Sequence, residues 1–150
     1  MSLNEEVELL RNIPLFAKLE PSKLKLLAFT SERITYKADQ VLFRQGDVGD
    51  AAYIIVEGAA AVLVETGEGE IEVATLGRND FVGEIAILCD VPRTATVKAT
   101  TQTITLRITK DLFFRLVAEF PAMSVEIMRE LASRLERTTQ QLREALAKNA

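Results

Sequence analysis

The sequence predicts a mainly β protein, an antiparallel barrel or jelly roll with helices at both ends. Three observations carry this. Between Glu32 and Ile108 the chain falls into short alternating or β-branched runs, the texture of strands. Turn residues separate those runs with no long helical pattern between them, which argues against a parallel sheet built on crossover helices. On either side of this region the apolar period lengthens to three and four residues, the spacing of amphipathic helices.

Taken in order, Leu3 to Leu10 alternates charge and leucine at helical spacing, with Asn4, Glu5 and Glu6 suited to a helix start. Pro14 and Pro21 interrupt, and Ser22 is placed to cap a second helix running to about Phe29. The expected strands are Arg33–Tyr36, Val41–Arg44, Ala52–Val56, Ala60–Glu65, Ile71–Thr75, Thr94–Lys98 and Thr103–Ile108. Between them stand Gly46-Asp47, Gly49-Asp50, Glu57-Gly58, Gly67-Glu68-Gly69 and Gly77-Arg78-Asn79-Asp80, all turn formers. The helical period returns over Leu112–Glu119 and then from Met123 to about Ala147, with Pro121 fitting the first turn of the longer helix. Along that helix Met128, Leu131, Leu135, Thr138, Leu142 and Ala145 recur at alternating steps of three and four, a heptad seam of about three repeats. The expected organisation is one domain: N-terminal helices over 1–30, a β-roll over 31–109 and C-terminal helices over 110–150.

The chain has 150 residues, 48% of them hydrophobic, enough for one sizeable core. Its net charge of −4 gives no global attraction to nucleic acid or an anionic membrane. One cysteine, Cys89, permits neither an internal disulfide nor a cysteine-based metal site, and the absence of histidine removes the commonest metal ligand and general base. An enzyme is therefore the weakest reading. With no export signal and no apolar run of spanning length, a cytoplasmic location is expected.

Residues 81–97, Phe-Val-Gly-Glu-Ile-Ala-Ile-Leu-Cys-Asp-Val-Pro-Arg-Thr-Ala-Thr-Val, place one acid and one base in an otherwise small and apolar stretch. Glu84 follows Gly83 at the start of a run compact enough for a short helical turn, whose unpaired N–H groups and dipole would favour an anion. Arg93 could close on the same anion through charge-assisted contacts. Glu84 would be repelled by a phosphate, so a neutral donor such as a sugar hydroxyl is its natural partner. A ribose phosphate is the implied ligand. The competing reading of Glu84 and Arg93 is a structural ion pair.

This stretch resembles the phosphate-binding cassette of cyclic nucleotide-binding domains, in the usual form Phe-Gly-Glu-Leu/Ile-Ala-Leu, a short spacer, then Pro-Arg-Thr/Ala-Ala-Thr/Ser. It departs at Val82, which separates Phe81 from Gly83. The resemblance extends from about Leu9 to Gln141 and is to the catabolite-activator and kinase regulatory-subunit types, with a bacterial member expected. It implies a double-stranded β-helix, or jelly-roll, domain with a long C-terminal helix. It further implies that Glu84 takes the ribose 2′-hydroxyl, Arg93 the cyclic phosphate, and backbone amides around Gly83, Ile85, Ala86 and Thr94 the remaining oxygens. A hydroxyl residue at Thr94 bonds the guanine amino group in some relatives that prefer cyclic GMP; its plain alternative is a β-branched strand residue. Thr138 and Thr139 fall where a threonine and a serine reach the adenine from two subunits of the catabolite-activator type. Arg134 and Leu135 match positions at which channel-type domains cover the base.

The expected function is thus a cyclic nucleotide sensor, for cyclic AMP first and cyclic GMP second, in which occupancy of the cassette repositions the C-terminal helix. The expected partners are the nucleotide and a second copy met through the helical seam, with neither nucleic acid, membrane nor metal, and an unidentified effector. Two alternatives stand beside it. One is the sensor half of a Crp/Fnr-like transcription regulator without its helix-turn-helix, since only four residues follow Leu146. The other is a dimerising scaffold with an empty cassette.

Overall fold

The computed structural model describes residues 3–13 and 16–148. The chain divides into two compact units, Met1–Arg115 and Leu116–Ala150.

In the first unit, α1 (Leu3–Arg11) packs on α2 (Pro21–Thr30), burying Val7 and Leu10 of one and Leu24, Leu27 and Ala28 of the other. The predicted interruption at Pro14 lies outside the described residues. The cap of α2 differs from expectation: Glu20 holds the N-cap position without a side-chain hydrogen bond, and Pro21 opens the helix. Proline's fixed φ and missing N–H suit that first position, which shifts the boundary ahead of Ser22.

Eight strands follow. They are β1 (Glu32–Tyr36), β2 (Val41–Phe43), β3 (Ala51–Glu57), β4 (Ala60–Thr66), β5 (Gly69–Leu76), β6 (Phe81–Val82), β7 (Thr96–Ala99) and β8 (Thr103–Thr109). A six-residue helix, α3 (Glu84–Cys89), stands between β6 and β7. The strands form two antiparallel four-stranded sheets, in the orders β1-β8-β3-β6 and β2-β7-β4-β5. This is the β-roll the sequence predicts. Strand β3 runs Ala-Ala-Tyr-Ile-Ile-Val with all six residues buried, as befits a strand with partners on both sides. At the other extreme β5 alternates glutamate with isoleucine and valine on a sheet edge and stays largely exposed.

The core lies between the sheets. Tyr53, Ile55 and Val82 of the first meet Leu42, Ala60, Val97 and Ala99 of the second, with Tyr36, Phe43, Val62 and Leu76 packed around them. Each large aliphatic side chain buried there contributes about 1.5–3 kcal/mol. The two-residue strand β6 was not among the expected strands, and β7 starts at Thr96, not Thr94.

Helix α4 (Lys110–Glu119) starts where the Thr109 hydroxyl accepts the Leu112 N–H at 3.3 Å. In the second unit α5 (Pro121–Lys148) is a single helix of 28 residues opened by Pro121. Met123 and Ile127 are buried, whereas Met128, Leu135 and Leu142 of the heptad seam are exposed.

Candidate functional site

The site is built on a scaffold of turns that lock one another. Gly83, in the left-handed region at φ +96, caps α3, and Asp90, at φ +52, ends it with its N–H on the Ala86 carbonyl. The loop from Arg44 to Asp50 lies against this helix. A Cβ on Gly49 would collide with the Ala86 methyl, so only glycine lets the loop approach so closely. The loop also fixes Arg93: its N–H donates to the Asp47 carbonyl and its carbonyl accepts the Gly46 N–H, each at 2.8 Å. Gln45 joins through its N–H to the Thr96 hydroxyl at 2.9 Å.

These contacts hold Arg93 almost wholly out of water, 3% exposed. Its Nη1 donates to the Gly83 carbonyl at 2.8 Å and its Nη2 to the Ala51 carbonyl at 2.6 Å. The guanidinium carbon lies 4.0 Å from the centroid of the Phe43 ring, in cation–π geometry. Nε is buried without a hydrogen-bond partner. Burial holds the Arg93 pKa below the usual arginine value, opposed by Tyr53 and by the charges of Asp50 and Asp47. Each of those two carboxylates is engaged elsewhere: Asp47 Oδ2 accepts the Arg44 N–H at 3.1 Å, and Asp50 Oδ2 lies 3.0 Å from Arg107 Nη2. A buried cation with a spare donor is expensive for the fold and chemically suited to an anion.

Glu84, 1% exposed, is the first residue of α3, with Ala86 buried one position beyond the exposed Ile85. Gly83, Glu84, Ile85, Ala86 and Arg93 therefore belong to one interlocked stretch. Thr94 is exposed in a bend two residues before β7, so it is not the strand residue that one reading of the sequence made it. Arg134, Leu135, Thr138 and Thr139 occupy successive turns of α5 in the second unit; Leu135 is 68% exposed, and Arg134 Nε lies 3.4 Å from Glu130. The described residues contain no cluster of metal ligands and no helix long and apolar enough to cross a membrane.

Sequence reasoning missed the platform beneath Arg93, comprising Phe43, the Ala51 carbonyl and the Gly46–Asp47 turn. The close-spaced Gly46-Asp47 and Gly49-Asp50 pairs were the available signal, read only as turn punctuation. Beyond Phe43, Tyr53 tilts against its ring with centroids 5.8 Å apart. Burial, and then Tyr53, pushes the pKa of Tyr36 from 10.0 up to about 12. Between those values the folded chain keeps a proton that the unfolded chain has released. Stability from this group is therefore fully present below pH 10 and falls as pH rises toward 12. Tyr36→Phe is expected to flatten that fall, read as a smaller difference between urea midpoints at about pH 9 and about pH 11 than in the parent. Equal differences in the two proteins would show that Tyr36 does not carry the effect.

Known proteins carry the same arrangement of chain. The family model of the cyclic nucleotide-binding domain matches residues 33–120. The cAMP-dependent protein kinase regulatory subunit of Blastocladiella emersonii is 37% identical over 110 residues, 72% of this chain and 27% of that protein. This chain thus spans less than a third of that relative. A cyclic nucleotide-binding-like protein from Brucella abortus superposes at 32% identity with a TM-score of 0.65, covering 76% of this chain and 98% of that one. Thermus thermophilus catabolite activator protein superposes at 28% identity with a TM-score of 0.77, covering 86% and 61%. With the family model covering more than half its length and the β-roll intact, the chain belongs to the cyclic nucleotide-binding domain family.

Proposed function

We propose that the stretch 81–97 binds a cyclic nucleotide and that the chain senses this ligand without turning it over. The observation that carries the proposal is Arg93, a nearly dry guanidinium with a buried, unpartnered Nε, spread over Phe43 and hydrogen-bonded only to carbonyls. In this reading Arg93 takes the cyclic phosphate. Glu84 accepts from the ribose 2′-hydroxyl, and amides around Gly83, Ile85, Ala86 and Thr94 serve the remaining oxygens. The exposed Thr94 hydroxyl is available to a purine amino group, which keeps cyclic GMP beside cyclic AMP as ligand.

The proposal gives the base to Arg134, Leu135, Thr138 and Thr139 of α5. Occupancy shifts the population of α5 positions, and helix position is the output. The exposed Met128, Leu135 and Leu142 supply an apolar stripe at heptad spacing, which supports a second copy as the partner of this helix. The same stripe fits the alternative of a Crp/Fnr-like sensor half.

Thermal unfolding with cyclic AMP, cyclic GMP and 5′-AMP tests the reading. Ligand at one hundred times its Kd adds about 2.7 kcal/mol to the native state. A rise of roughly 5–10 °C with a cyclic nucleotide and none with 5′-AMP is expected. No shift with any of them, on protein freed of carried-over nucleotide, would leave the scaffold alternative standing.

A further inference from the structure

We propose that Arg107 is a positioning residue that sets the affinity of the Arg93 receptor by holding Asp50 away from it. The inference rests on the phosphate-binding role given to Arg93 above. Nothing in the sequence singles Arg107 out; it stands in Thr-Ile-Thr-Leu-Arg-Ile-Thr, where a polar residue on one face of β8 is ordinary.

Its surroundings are more telling. Strand β8 is central, paired with β1 and β3. From it Arg107 reaches Asp50 with Nη2 at 3.0 Å and Glu32 with Nη1 at 3.5 Å. Tyr53, its register partner on β3, also favours the charged form of Arg107. Burial works against the charge on Arg107, yet Tyr53 and Asp50 outweigh it and the cation is favoured overall. Arg107 thus keeps its charge, and its contact with Asp50 is charge-assisted.

Asp50 is the acid best placed to spoil the receptor. It immediately precedes Ala51, whose carbonyl takes Arg93 Nη2 at 2.6 Å. Its charge is felt at Arg93, where it favours the cation, while Arg107 opposes it. The Asp50 side chain is 67% exposed, so packing holds it only weakly and the contact with Arg107 sets its direction. Released from Arg107, the carboxylate would be drawn toward Arg93, whose charge it already favours, and a phosphate would have to displace it. Asp47, the other acid felt at Arg93, is held by the Arg44 N–H and offers no such competition.

Calorimetric titration with cyclic AMP and cyclic GMP of the parent, D50N, R107Q and R107Q/D50N tests this. R107Q is expected to weaken binding by roughly 2–5-fold, the scale of one partly exposed charge contact. D50N is expected to bind as the parent or a few-fold tighter. The double variant should return to the D50N affinity, because no competing carboxylate remains. A purely structural role for Arg107 would leave the double variant as weak as R107Q, and that result overturns the proposal, as does parent-like binding by R107Q. Should R107Q not fold, R107K with and without D50N supplies the same comparison, with a smaller loss in the same direction that D50N removes. A parent that binds neither nucleotide would refute the receptor reading itself, an outcome distinct from any difference among the variants.

Discussion

Arg93→Ala is expected to lower cyclic nucleotide affinity by at least about a hundredfold while leaving the chain folded. The guanidinium is the fully buried cation of the cassette, and charge-assisted hydrogen bonds to a phosphate contribute about 1.5–3 kcal/mol each. Removing two such hydrogen bonds raises Kd by roughly two to four decades. Stability should change less than affinity. The substitution strands the carbonyls of Gly83 and Ala51, at about 1–3 kcal/mol for each group left dry and unpaired, yet it also removes the cost of burying a charge. Calorimetric titration with unfolding measured in parallel separates these effects. Affinity within about threefold of the parent would refute the role of Arg93 and with it the cassette reading.

Gly83→Ala is expected to damage both stability and binding. At φ +96 a residue with a Cβ is strained by about 1–2 kcal/mol. That Cβ would stand 2.7 Å from Arg93 Nη1 and 3.1 Å from the Ala51 carbonyl oxygen. An arginine end in water would swing aside cheaply. Here the guanidinium is dry, lies on Phe43 and donates to two carbonyls, so its displacement breaks bonds that nothing replaces. Together these effects cost about 2–4 kcal/mol, or a melting temperature lower by roughly 5–15 °C, with affinity falling because Arg93 has moved. Unchanged melting and binding would mean that the backbone relaxes freely at Gly83.

Much of this architecture could be read from residues alone. The strands between Glu32 and Ile108 were legible because alternation and turn chemistry agree along the whole stretch. Glu84 and Arg93 stood out because ionisable side chains are rare in so small and apolar a run, and both prove almost fully buried. Other features were hidden for definite physical reasons. Phe81–Val82 is too short to show any period, and it becomes a strand only because Tyr53 and Ile54 offer it partners. Thr94 and Thr96 share β propensity, so only pairing with Leu63 decides that the strand begins at the second. Glu20 and Ser22 flank a proline, and the proline sets the helix start. Arg107 and Asp50 lie 57 residues apart, a juxtaposition no local pattern encodes.

The contact of Gly49 with Ala86 has a mechanical consequence. Because the loop before β3 is tied to α3 there, and to Arg93 through Gly46 and Asp47, these three pieces cannot shift independently. Such a stiff receptor has little ordering left to do when a ligand arrives, so encounter kinetics, rather than slow local rearrangement, would govern its loading. Any displacement it does undergo therefore moves the loop, α3 and Arg93 together, as one body and not as the settling of a loose loop.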